Sequence, residues 1–150
     1  GAQLKIYGSG ISAPMRERWG QLSSVSVVGF VDQVEDAYRS SALMVCPVLT
    51  GGGTNIKVVE AASLGRVCVL TEAATRGFRE YPELRDLLQY GEDASGMASV
   101  IVELLQSSAK NKDLAESHRD AFQQLFSLQK FQEVVKLGLD ESQRAFATDK

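Results

Sequence analysis

An α/β fold with a mostly parallel sheet is predicted by three observations. Short apolar runs alternate with amphipathic stretches through the first two-thirds of the chain. Several of those runs, residues 43–47 and 67–70 among them, are continuously apolar, as parallel strands covered on both faces must be; a β-sandwich would alternate. The 150 residues, 44% apolar and 23% charged, suffice for one buried core without disulfide or metal staples and exclude disorder.

Strands are expected at residues 4–7, 25–28, 43–47 and 67–70, with a shorter one near 87–89, and helices at 13–21, 34–41, 55–64 and 75–81. Tyr7-Gly8-Ser9-Gly10 turns the chain out of the first strand, and Gly29-Phe30-Val31-Asp32 closes the second and leads into a helix. The third ends at Pro47 before three glycines, and Thr71-Glu72 ends the fourth. From Asp93 the strand signal disappears, and Met97, Val100, Ile101, Leu104 and Leu105 recur at helical spacing. A further helix covers 113–125. A last one, carrying Phe131, Val134, Val135 and Leu137 and capped by Ser127, is expected to pack across the body. Phe122, Phe126 and Phe131 then form a core stripe, and the polar tail 140–150 frays. No linker or repeat is visible, so residues 1–140 read as one domain and 141–150 as a tail.

Sixteen Lys plus Arg against nineteen Asp plus Glu leave a net charge of −3, which disfavours nucleic acid as a partner. No apolar run approaches the roughly 20 residues a membrane helix needs, and the N-terminus lacks signal-peptide character, so a cytoplasmic location is the default. Cys46 and Cys68 sit in apolar runs and read as structural thiols. With His118 the sole histidine, in a polar helical stretch, no zinc site can be composed. The chain opens on Gly1-Ala2 and enters a strand at once, which reads as a cut boundary.

The chemistry concentrates in Pro47-Val48-Leu49-Thr50-Gly51-Gly52-Gly53-Thr54-Asn55-Ile56-Lys57-Val58-Val59-Glu60. Glycines between a buried strand and a helix let a ligand approach the backbone, and the free amides and dipole of the helix start, capped by Thr54 or Asn55, attract an anion. This is the physics of a diphosphate cradle, at the carboxyl edge where open α/β sheets bind ligands. Lys57 falls in the first helical turn, where a cation opposes the dipole; a role on an anionic ligand and plain surface decoration both stand. Glu60, three residues on, could accept both hydroxyls of a ribose diol, the alternative being a solvated helix glutamate. Gly65 ends this helix in the manner of a left-handed cap. Gly8 and Gly10 supply only G-x-G, short of the dinucleotide fingerprint, so they read as a tight turn beside a nucleotide or as a plain turn. A P-loop and a G-x-S-x-G nucleophile elbow are absent, and no acidic cluster of the response-regulator kind is present, which disfavours nucleotidase, serine-hydrolase and receiver readings.

The ordered series from Leu4 to Gly10, Val27 to Asp32, Gly51 to Ala61 and Gly65 to Thr71 resembles the C-terminal half of GT-B glycosyltransferases of the retaining group 1 type, over most of residues 3–140. The resemblance implies a Rossmann-like parallel sheet with flanking helices that lacks its first strand, and a nucleotide-diphosphate sugar as donor substrate, with no separate cofactor and no metal. It implies that Glu60, matching the second glutamate of the family's Glu-seven-residues-Glu motif, binds ribose hydroxyls. The amides of Asn55 and Ile56 would meet the diphosphate, and Gly8, Phe30 and Val31 would line the nucleoside pocket. The motif's first glutamate falls at Gly52, a departure that resembles the glycine-rich subgroup. The implied function is the donor-binding part of a sugar transferase, inactive alone. Its partner is the missing N-terminal half, and the full-length enzyme would be cytoplasmic or peripheral at the inner membrane face. A GT-B nucleotide-sugar epimerase and a non-catalytic interaction module are the alternatives. In the usual strand order the absent strand is central. The first strand and the 43–47 strand should therefore pair directly or take a substitute from another chain, with self-association through exposed edges as a consequence. Two open, solvated edges would count against the resemblance.

Overall fold

The computed structural model describes the backbone of residues 1–148 and the side chains of residues 1–139. In chain order the elements are β1 (Leu4–Tyr7), α1 (Ala13–Gly20), β2 (Val25–Gly29), α2 (Val34–Arg39), β3 (Leu43–Cys46), α3 (Ile56–Ser63) and β4 (Val67–Thr71). Two 3-10 turns follow at Ala73–Thr75 and Pro82–Leu84, then β5 (Gln89–Gly91), α4 (Ala94–Gln106), α5 (Ser108–Phe126) and α6 (Leu128–Thr148). The chain divides into two compact units, Gly1–Ala37 and Tyr38–Lys150.

In the first unit β1 and β2 pair in parallel, Leu4 opposite Val25 and Ile6 opposite Val27. Ser12 caps α1 by accepting from the Met15 amide, and Pro14 sits in the first turn, where its missing N–H costs nothing. No residue of α1 is buried. The helix is anchored instead by Arg16, whose guanidinium donates to Val27 O at 2.9 Å.

The second unit is a three-stranded parallel sheet in the order β3-β4-β5. All five residues of β4 are buried, and their alternation explains why. Cys68 and Leu70 face a cluster with Cys46, Val58, Ala61, Ala62, Phe78, Leu84 and Phe122, beneath α3 and α5. Val67 and Val69 face the other cluster, with Met97 and Leu104 of α4. Each fully buried Val or Leu contributes about 1.5–3 kcal/mol. At the end of α3, Gly65 adopts φ +70°. Its amide bonds Ala62 O at 2.8 Å, and that of Arg66 bonds Ala61 O at 2.9 Å. That is a Schellman cap, in the left-handed conformation anticipated for this glycine.

Several expectations are corrected. Residues 75–81 form no helix: Gly77 at φ +78° breaks the run, leaving two 3-10 turns. The last strand is displaced to Gln89–Gly91, and Leu87 and Leu88 pack against the core instead. Ser127 does cap α6, accepting from the Lys130 amide at 3.1 Å, but α6 does not pack across the body. Its Leu128, Phe131, Val134, Val135, Leu137 and Leu139 are exposed, Phe131 by 66%. The core stripe therefore comprises Phe122 and Phe126 without Phe131. The backbone of 140–148 is helical rather than frayed; its side chains and residues 149–150 lie outside the described residues. Within the units, β1 pairs with β2 and β3 with β4.

His118 departs from its polar-stretch reading, being only 2% exposed. Its Nε2–H donates to Leu87 O at 2.6 Å, the ring stands edge-on to Phe122 with centroids 6.0 Å apart, and Nδ1 has no partner. Burial pushes the imidazole pKa below its ordinary 6.5, with the Leu87 bond opposing in part. The unfolded chain therefore takes up this proton at higher pH than the folded protein. Stability is complete above about pH 6.5 and declines as pH falls below it. His118→Gln, which keeps a donor for Leu87, should flatten the fall in Tm between about pH 7 and pH 5; a slope equal to wild type refutes this role.

Candidate functional site

Beyond the carboxyl end of β3 the backbone turns through Gly51 at φ +131° and Gly53 at φ +76° before α3 begins. A Cβ built on Gly51, Gly52 or Gly53 would meet nothing within 4 Å, so conformation and open space, rather than crowding by the protein, distinguish this loop. Asn55 is the residue preceding the helix, yet its side chain makes no cap. Its amide nitrogen donates instead to Ala74 O at 3.2 Å. The Val58 amide takes Asn55 O at 2.9 Å, while those of Ile56 and Lys57 precede the first intrahelical bond.

The loop after β4 is laced to this junction. The buried hydroxyl of Thr71 donates to Val48 O and accepts from the Ala74 amide. The left-handed Gly77 lies against Thr54, so closely that any Cβ there would overlap the threonine side chain. Thr75 donates to Glu72 O at 2.7 Å, and Glu72 pairs with Arg79 at 3.3 Å on the exposed surface, a contact that contributes little by itself.

Lys57 and Glu60, three apart and both exposed, share a face of α3. The Tyr38 hydroxyl donates to Glu60 Oε2 at 3.2 Å and lies 3.5 Å from Lys57 O. Tyr38 is pushed up to about 12, chiefly by burial and further by the Glu60 carboxylate, so near neutrality it is a phenol that donates. Burial pushes the Cys68 thiol up to about 12 and raises Cys46 as well, which makes neither a thiolate nucleophile. Among the described residues no group of three or more His, Cys, Asp or Glu could hold a metal ion.

Of the residues singled out from sequence, Gly51, Gly52, Gly53, Thr54, Asn55, Ile56, Lys57 and Glu60 form this one junction in the second unit. Gly8, Phe30 and Val31 belong to the first unit, at the carboxyl ends of its strands. There the Gly8 amide donates to Gly29 O at 2.9 Å, and Phe30 is 69% exposed. Gly10, also in that unit, is exposed with open space about its Cα. Sequence reasoning missed Tyr38 and Gly77; the only signals were an aromatic residue on a short helix and a glycine before Phe78.

Parallel strands, flanking helices and glycine-bearing loops at the strands' carboxyl ends are the architecture of part of a GT-B glycosyltransferase. The chain is similar in fold to sucrose-phosphate synthase from Thermosynechococcus elongatus, with TM-score 0.69 and 21% identity, over 99% of this chain and 39% of that one. It thus spans well under half the length of the structure it matches. No curated protein sequence matches it. Residues 1–107 match the family described as glycosyl transferases group 1, and the chain belongs to that family.

Proposed function

We propose that this chain binds the nucleoside diphosphate of a sugar donor and forms the donor side of an enzyme that transfers the sugar to a glycan, lipid or small acceptor. The observation that carries the reading is the junction from Gly51 to Glu60, where an open glycine loop runs into a helix start bearing Lys57 and, one turn on, Glu60. Amides of Asn55 and Ile56, with that of Lys57 beside them, the helix dipole and the Lys57 ammonium favour a diphosphate. The Glu60 carboxylate can accept two ribose hydroxyls. Sugar transfer requires the leaving diphosphate to be stabilised as the glycosidic bond breaks, and the acceptor to be held in line. The junction is suited to the first task. The second falls to the remainder of a two-domain enzyme, so the isolated chain is expected to bind without turning over. No helix among the described residues is long and apolar enough to cross a membrane.

Isothermal titration of the chain with UDP, GDP and ADP checks this. At least one should bind with a dissociation constant below roughly 1 mM. Failure of all three at that concentration overturns the binding assignment. Gly52, standing where the resemblance implies a carboxylate, favours a second reading, a binding module without catalysis. Sugar transfer by the full-length protein would dismiss it.

A further inference from the structure

We infer that Tyr38 is a positioning residue for Glu60, holding the carboxylate toward the ribose of a nucleoside diphosphate; this rests on the donor-binding reading above. Glu60 is exposed on α3, and a glutamate so placed samples many rotamers that ligand binding must freeze. Tyr38 comes from a different element, α2, 22 residues away, and brings a ring with two side-chain torsions rather than a flexible chain. Its hydroxyl is 3.2 Å from Oε2, within hydrogen-bonding range, whereas the 3.5 Å approach to Lys57 O is at the outer limit. A carboxylate offers about four lone-pair sites on two oxygens. The tyrosine occupies one on Oε2, and no other hydrogen bond reaches the carboxylate among the described residues, which leaves the acceptors that two vicinal hydroxyls need. The half-buried phenol remains protonated well above neutral pH, so the donor is present throughout the physiological range. A tyrosine that merely satisfied its own hydroxyl would affect folding. One that orients Glu60 affects ligands that carry a ribose diol and no others.

Titrations of the 150-residue chain distinguish these roles, using the best-bound of UDP, GDP and ADP, its 2′-deoxy analogue and inorganic pyrophosphate. Tyr38→Phe is expected to weaken the ribonucleotide about 3- to 10-fold, the range for one lost hydrogen bond of ordinary net strength at a partly solvated site. It should leave pyrophosphate unchanged and narrow the preference for ribose over deoxyribose. Added to Glu60→Gln, it should cost nothing further, since both act through one carboxylate. Should the phenylalanine variant fail to fold, Tyr38→His is read against wild type in its place: its shorter ring brings no donor to Oε2, so it too should weaken the ribonucleotide and spare pyrophosphate. Wild-type ribonucleotide affinity in Tyr38→Phe, or equal loss of all three ligands, overturns the inference. Should Glu60→Gln weaken the ribonucleotide while Tyr38→Phe does not, only the positioning role falls. Should wild type bind none of the nucleotides, the donor-binding reading falls and takes this one with it.

Discussion

Phe78→Ala should lower stability by about 3–5 kcal/mol, the cost of deleting a buried aromatic ring and leaving its cavity. Phe78 is fully buried, with ring centroids 5.5 Å from Phe122 and 6.0 Å from Phe126, in the cluster that also takes Cys68 and Leu70 from β4. A whole domain commonly holds only about 5–15 kcal/mol, so the loss should depress Tm by roughly 10 °C or prevent folding at 37 °C. The loop that carries Phe78 also carries Gly77 against Thr54 and Ala74 against Asn55, so nucleotide affinity should fall with stability. Phe131→Ala is the matched control. Its ring is 66% exposed, and thermal melts should shift by no more than about 0.5 kcal/mol equivalent. Equal losses for the two variants would mean that α6 is covered and that the cluster around Phe78 is not the main core.

Glu60→Ala should produce the largest change in binding, weakening the tightest nucleoside diphosphate about 10- to 100-fold, the range for two hydrogen bonds of ordinary net strength at an exposed site. Inorganic pyrophosphate, which has no ribose, should bind the variant as it binds wild type. Because Glu60 is exposed, the melting temperature should hardly move, which separates a binding loss from a folding loss. A parallel loss of pyrophosphate would shift the role of Glu60 from the sugar ring to the cradle, and an unaltered nucleoside diphosphate affinity would remove it from the site.

Much of this was legible because it is local. The strand Val67–Thr71 showed itself as an unbroken apolar run, and such a run in a parallel strand means that both faces are covered, here by the Phe78 and Met97 clusters. Gly65 ended its helix in the anticipated left-handed turn. The junction from Gly51 to Glu60 is contiguous, so the glycines, the helix start and the carboxylate could be read together.

Long-range pairings were not legible. Asn55 is a good helix cap by type, but tertiary structure offered its side chain Ala74 O, 19 residues on. Thr71 was visible as the end of a strand; that its hydroxyl would tie Val48 to Ala74 was not. The stripe through Phe131, Val134 and Val135 has helical period and did predict α6. Period says which residues share a face, not what lies against it. Phe122 and Phe131 look equivalent in sequence, yet one is 1% exposed and the other 66%.

The amino-acid sequence alone determined the α/β pattern, the order of elements and the loop-to-helix segment that carries Lys57 and Glu60, because periodicity, glycine placement and helix ends depend on neighbours a few residues apart. Only the tertiary structure decided which apolar stripe became core and that Tyr38 meets Glu60. A hydrogen bond between groups 22 residues apart depends on where two segments come to rest, and that is set by the packing of the whole unit rather than by either segment.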